Sequence, residues 1–237
     1  MKKAVFITCF EFFPKTRFEP IIKAVTEKGY HVTILTTDFS HSKKDYIADR
    51  EDSITYIHVP KYTKNISIKR IWSHLYFAKK CYNFLNKIRP DLVYAMIPPN
   101  YLGHYVIKYK EKFPDTKIII DLLDLWPESI PKKWLRLLPP YKIWQNVRNQ
   151  ALQKADKILT FCDYYQSVLK NIFTGKQVKT LRQSKSYSIS DEKLANYKSQ
   201  LASNKIKFAY CGGINHIIDM KSIEEITRGL LTQGYIV

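Results

Sequence analysis

The chain has 237 residues, 45% of them apolar, and carries 39 Lys and Arg against 21 Asp and Glu, a formal net charge of +18. That length buries one core of ordinary domain size with residues left over, and the charge favours a polyanion, nucleic acid or an anionic membrane surface, without choosing between them. No apolar run is long enough to span a bilayer, and the start reaches Thr8 and Glu11 before a signal-peptide core can form; Cys9, Cys81, Cys162 and Cys211 are too scattered for a zinc or redox motif. These features exclude a membrane-spanning helix and a disulfide framework, and lead us to expect a soluble, cytoplasmic protein.

Lys3 to Cys9 is an apolar run of strand length, Phe18 to Lys28 has helical spacing closed by Gly29, and His31 to Thr37 is β-branched, so the chain opens on a β-α-β unit. A weaker strand, Ile54 to Val59, ends at Pro60. From Ile68 to Ile88 apolar residues recur at three- and four-residue spacing among lysines, which predicts a long amphipathic helix. Arg89-Pro90-Asp91 stops it, Leu92 to Met96 reads as a buried strand, Tyr101 to Phe113 as a helix and Lys117 to Leu123 as the next strand. A helix over Tyr141 to Ala155 and a strand over Lys157 to Phe161 repeat the pattern. This alternation predicts an α/β fold, a Rossmann-like doubly wound parallel sheet over residues 1–182.

Residues 183–205 hold few large aliphatics and read as a linker. Ile206 to Ile214 then runs into a Gly212-Gly213 turn, with a helix over Met220 to Leu231, so residues 206–237 read as the start of an incomplete second Rossmann-like domain.

The segment Asp121-Leu-Leu-Asp-Leu-Trp-Pro-Glu-Ser129 follows a strand, where open α/β sheets place ligands. It resembles the Asp-Leu-Trp-Pro-Glu-Ser signature in the N-terminal domain of family 4 glycosyltransferases of the GT-B fold, bacterial enzymes that build capsule, exopolysaccharide or O-antigen chains. Lys28-Gly-Tyr-His-Val-Thr-Ile34 and Phe208-Ala-Tyr-Cys-Gly-Gly-Ile214 are similar to the family's first β-α-β unit and to the opening of its C-terminal domain. The chain departs from the pattern in three places. Phe10 to Arg17 lacks the usual glycine-rich turn, Leu123 stands where an Arg is common, and most of a second domain is missing.

The resemblance implies transfer of a sugar from a nucleotide sugar, with retention of the anomeric configuration, to a lipid-linked or saccharide acceptor. Asp124 and Glu128 would be the catalytic carboxylates, and Gly212, Gly213 and Arg17 would approach the donor's diphosphate. Read from the residues alone, Asp124 equally suits a cap on the following segment and Glu128 a solvated site, while Asp121 ends its strand on the face opposite Leu122. Lys132, Lys133, Trp134 and Arg136 mix cations with apolar side chains, as an interfacial membrane segment or an amphipathic helix packed on the sheet would. The expected localisation is therefore cytoplasmic, peripheral on the inner face of the plasma membrane. No carboxylate or histidine cluster has ligand spacing, so no metal and no cofactor beyond the nucleotide-sugar substrate is expected, and no nucleic-acid motif is present. Two alternatives remain open: a non-catalytic membrane-associated subunit completing a partner transferase, with that partner supplying the missing domain, and the inactive product of a truncated gene.

Overall fold

The computed structural model describes residues 1–65, 67–129, 133–175, 177–183, 190–202 and 219–235. The chain divides into two units, Met1–Lys185 and Ser186–Val237. The first is built on strands β1 (Lys2–Ile7), β2 (Tyr30–Thr37), β5 (Ile54–Ile57), β6 (Leu92–Ile97), β7 (Lys117–Leu122), β8 (Lys157–Thr160) and β9 (Val178–Thr180), with a small hairpin, β3 (Phe39–Ser40) and β4 (Asp45–Tyr46), beside them. The seven strands form one parallel sheet in the order β5-β2-β1-β6-β7-β8-β9. Its order reverses between β1, which pairs Ala4 with Leu92, and β6.

Helices cover both faces, as the doubly wound expectation requires. The helix α1 (Glu19–Thr26) packs with Phe13 and Phe18 over Ala4, Phe6, Tyr94 and Met96. On the other face α2 (Ile68–Ile88), α3 (Asn100–Lys112), α4 (Pro139–Lys154) and α5 (Asp163–Ile172) bury Phe77, Val106, Leu152 and Leu169 against Val5, Ile7, Ile97 and Ile120. Alternate residues of β6 and β7 therefore enter opposite cores, which is why both strands read as continuous apolar runs.

Local chemistry sets the boundaries. Ser67 caps α2, its hydroxyl accepting from the Arg70 amide at 3.2 Å, and Arg89 ends it in the left-handed region at φ 50° before Pro90. Gly29 follows α1 at φ 81°, a conformation glycine adopts without strain. Where α3 meets α4, a Cβ built on Gly103 would lie 2.9 Å from the Ala151 Cβ, so the small residue sets how closely the helices approach.

The strand over Ile54–Ile57 stops two residues short of the expected Val59 and forms the sheet edge. The helix α5 and the three-residue strand β9 are additions to the expected pattern. In the second unit α6 (Asp191–Leu201) forms within the stretch expected as linker, capped by Ser190 with Asp191 and Glu192 in its first turn. The helix α7 (Met220–Thr232) forms where one was expected, capped by Asp219. The strand and glycine turn expected over residues 206–214 lie outside the described residues.

A candidate substrate cavity at the ends of β1, β6 and β7

The loops that leave β1, β6 and β7 at their C-terminal ends enclose a cavity of about 600 Å³. It opens where the strand order reverses, the crevice in which open α/β sheets hold ligands. Phe10, Phe12 and Phe13 come from the first loop, Pro98 and Pro99 from the second, and Leu123, Asp124 and Trp126 from the third. The first turns of α2, α3 and α4 complete the wall.

Of the carboxylates in the Asp121 to Ser129 segment, Asp124 borders the cavity. Its Oδ2 accepts from the Ser129 hydroxyl at 3.0 Å and its Oδ1 from the Tyr165 hydroxyl at 3.2 Å. These partners are hydroxyl groups, so the carboxylate is steadied by neutral donors and does not cap a helix. Burial, then the Asp124 charge beside it, pushes the Tyr165 phenol up to about 12, so it stays a donor at neutral pH.

Glu128 does not line the cavity. Arg148, fully buried on α4, grips it with two bonds, Nη1 to Oε2 at 2.6 Å and Nη2 to Oε1 at 2.7 Å, and Gln145 donates to Oε1 at 2.7 Å. Burial alone would raise the Glu128 pKa, but the bonds from Arg148 and Gln145 outweigh it and hold the carboxyl below its usual value. Arg148 Nη1 also donates to the Trp126 carbonyl at 3.1 Å, and Asn100 Nδ2 donates to the carbonyls of Trp126 and Trp144 at 3.1 and 3.2 Å. Glu128 therefore anchors the loop that carries Asp124, with both of its oxygens engaged.

Arg17 is held in a buried pair. A π-helical turn, Pro14–Phe18, carries it back over β7, where Nη2 donates to Asp121 Oδ1 at 2.7 Å and Nε donates to Oδ2. Its Nη1 donates to the Leu181 carbonyl at 2.7 Å, and the guanidinium stacks 3.9 Å from the Phe161 ring centre. The Tyr94 hydroxyl donates to Asp121 as well. Arg17 is 2% exposed, and each of its three guanidinium nitrogens donates within the fold. Asp121 does lie on the face opposite Leu122, and its role is to hold this buried pair.

One end of the cavity is polar, and these residues were not singled out from the sequence. The first turns of α2 bring Arg70 and His74 to the wall, beside Asn65 and Ser67, and the β3–β4 loop brings His41. Arg70 Nη1 donates to the Asn65 carbonyl at 2.6 Å, Lys44 Nζ donates to Asn65 Oδ1 at 2.5 Å, and His41 Nδ1 is hydrogen bonded to the Tyr62 hydroxyl at 2.7 Å. Burial, then the charges of Arg70 and Lys44, lowers the His41 pKa to about 4; burial, Arg70, His41 and Lys44 lower that of His74 to about 3. Both rings are neutral at pH 7. Glu11 sits behind His41 and accepts from the Ser40 and Ser42 hydroxyls at 2.8 and 2.6 Å and from the His41 amide at 3.2 Å. Burial raises its pKa, yet these bonds bring it down to about 2.

Gly212, Gly213 and Lys132 lie outside the described residues. Lys133 opens a tight helical turn, Lys133–Leu137, in which Trp134, Arg136 and Leu137 are exposed. Among the described residues no group of three or more His, Cys, Asp or Glu is placed to hold a metal ion, and no helix is long and apolar enough to cross a membrane.

No protein-family model matches the chain, and no curated protein matches it. Among solved structures it is similar to the N-terminal domain of trehalose-6-phosphate phosphatase from Candida albicans, at 12% identity and a TM-score of 0.52, covering 85% of this chain and 54% of that one. It is also similar to a sucrose-phosphate synthase from Thermosynechococcus elongatus, at 12% identity and a TM-score of 0.49 over 84% and 97% of the two chains. A glycosyltransferase from Rickettsia africae aligns at 14% identity and a TM-score of 0.46 over 96% and 58%. The chain thus spans little more than half the length of the Candida and Rickettsia proteins. At such identities the likeness speaks for the fold, and the fold is a Rossmann-like α/β unit built on a seven-stranded parallel sheet.

Proposed function

We propose that the chain is a glycosyltransferase of the GT-B type, or the acceptor-binding half of one, moving a sugar from a nucleotide-sugar donor to a lipid-linked or saccharide acceptor in cell-surface polysaccharide assembly. The observation that carries this reading is the position of Asp124. It belongs to the segment that resembles the transferase signature, it borders a cavity at the reversal point of the sheet, and its partners are the hydroxyls of Ser129 and Tyr165. Such a carboxylate retains acceptor capacity for an incoming hydroxyl.

In this reading the acceptor lies in the cavity with its nucleophilic hydroxyl donating to Asp124. Holding that oxygen against the anomeric carbon removes the orientational part of the barrier. The acceptor oxygen then bonds the anomeric carbon on the face the diphosphate leaves, so that the configuration is retained, while the bond to the donor's diphosphate breaks and the acceptor's proton passes to the departing diphosphate. Glu128 and Arg148 act at one remove, by fixing the loop on which Asp124 sits. The exposed turn around Trp134 and Arg136 rests on an anionic membrane surface, at the inner face of the plasma membrane.

The test is transfer itself. The full chain is incubated with a panel of radiolabelled nucleotide sugars and bacterial lipid and oligosaccharide extracts, and label is followed into product. The reading expects label in product with the wild type and at least about a hundredfold less with Asp124→Asn; label at the same rate in both removes Asp124 from the reaction.

A further inference from the structure

The helix α2 carries two stripes. One, through Phe77, Cys81 and Leu85, is buried in the core. The other, Trp72, Leu75, Tyr76, Lys79, Lys80 and Asn83, recurs at three- and four-residue spacing along about 16 Å of helix and, with Tyr105 of α3, lines a groove of about 550 Å³. None of these residues lines the cavity at the ends of β1, β6 and β7. Trp72 is 59% exposed, a large apolar surface that is favourable to cover.

The charge along this face has one sign. From Ile68 to Ile88, α2 carries Lys69, Arg70, Lys79, Lys80 and Lys87 and no Asp or Glu. The one carboxylate of α3, Glu111, is paired with Lys154. Lys80 lies over the Tyr76 ring at 5.3 Å and Lys108 over the Tyr82 ring at 5.6 Å. Among the described residues Lys79, Lys80 and Lys108 make no ion pair. Apolar area and unpaired cations alternate along the stripe, so a complementary surface carries apolar groups and carboxylates at matching intervals.

Shape decides among anionic partners. A bilayer is planar and meets the ridge of a helix, whereas this surface is a groove between two. A single-stranded nucleic acid stacks successive bases on open aromatic faces, but one face of Tyr76 is taken by Lys80, and Tyr105 lies 5.8 Å from Tyr82 and 5.4 Å from His104. A second copy of this chain brings another +18 of charge and is repelled. An acidic amphipathic helix repeats its apolar side chains at three- and four-residue spacing and lies lengthwise in such a groove.

We propose that the groove between α2 and α3 docks an acidic amphipathic segment of a partner protein, its apolar side chains against Trp72, Leu75 and Tyr105 and its carboxylates at Lys79, Lys80 and Lys108. Docking here is independent of sugar transfer and is measured without donor or acceptor, so neither result decides the other.

A fluorescein-labelled peptide of about 16 residues, long enough to form a helix when bound, carries leucine at alternating three- and four-residue spacing and glutamate elsewhere. It is titrated with the full chain and followed by fluorescence anisotropy. It binds saturably and at least about tenfold more tightly than analogues with glutamine for glutamate or serine for leucine, the worth of one charge-assisted contact. Lys79→Gln with Lys80→Gln removes most of the margin over the glutamine analogue, and Trp72→Ser weakens binding by about tenfold. Lys23→Gln with Lys28→Gln, at α1 on the opposite face of the sheet, changes neither. All the substituted residues are exposed, so the variants fold. Equal binding of the three peptides by the wild type overturns the proposal, as does an equal loss in the Lys23 and Lys28 variant, which would mark attraction to the net charge alone. Vesicles of phosphatidylcholine and phosphatidylglycerol, or a polyuridine strand, that bind more tightly than the peptide and lose that binding in the α2 variants assign the surface to a bilayer or to nucleic acid and overturn it as well.

Discussion

Arg148 and Glu128 form a two-pronged pair, Nη1 to Oε2 at 2.6 Å and Nη2 to Oε1 at 2.7 Å, that ties α4 to the loop carrying Asp124. The guanidinium is fully buried, whereas the Glu128 side chain keeps 27% of its surface. Removing the cation lets Glu128 take up water but takes one of two donors from the Trp126 carbonyl, which keeps Asn100. Arg148→Met should therefore destabilise the fold by about 2 to 4 kcal/mol, toward the low end of what breaking a buried pair costs. Urea denaturation measures it, and a loss below about 0.5 kcal/mol, the range of surface substitutions, would contradict the role given to the pair.

Arg17 and Asp121 are both buried, so separating them leaves a charge without a partner. Asp121→Ala should cost about 3 to 5 kcal/mol, read from the urea midpoint. Arg17→Met combined with Asp121→Leu should recover most of that loss. In any Arg17 variant that folds, affinity for nucleotide sugars should be unchanged, because the guanidinium faces Asp121, Leu181 and Phe161.

Gly103 tests the packing of α3 on α4. Gly103→Ala places a methyl 2.9 Å from the Ala151 Cβ and should destabilise by about 1 to 3 kcal/mol, the usual cost of overpacking. Ala151→Gly added to it should restore part of the loss despite glycine's lower helix propensity. Additive effects in the double variant would show that the two positions do not meet.

Acid should weaken the fold earlier than its carboxylates alone predict. His41 and His74 have folded pKa values of about 4 and about 3 against 6.5 unfolded, so between these limits the unfolded chain binds more protons. Their contribution is present in full above pH 6.5 and is lost as pH falls toward 4 and 3. Glu11, at about 2 against 4.5, adds a loss only below 4.5. Stability measured from pH 7 to pH 5 should decline, and His41→Asn with His74→Asn should flatten that decline. An unchanged slope in the double variant would contradict the neutral assignment of the two rings.

How much of this was legible in the sequence depends on distance along the chain. The central strands β6 and β7 are buried on both faces, so each is a contiguous apolar run that announces itself. The edge strand β9 has three residues, too few to show a period, and α5 escaped with it. Asp124 stood out as a candidate because its motif is contiguous. Its neighbours' roles did not: Arg148 lies 20 residues from Glu128 and Arg17 lies 104 from Asp121, and nothing local in either segment marks the pairing. His41, Arg70 and His74 likewise meet only when the β3–β4 loop and the start of α2 are folded together. Single histidines in polar segments carry no signal of that meeting.

The central claim is that Asp124 faces the reacting hydroxyl, and transfer by Asp124→Asn tests it most directly. The change is nearly isosteric and leaves the hydroxyl partners in place, so the variant should show the wild-type urea midpoint. Label transferred to acceptor should fall by at least about a hundredfold, the scale of a lost positioning contact in an active site. A folded Asp124→Asn protein that transfers sugar at the wild-type rate would contradict the account.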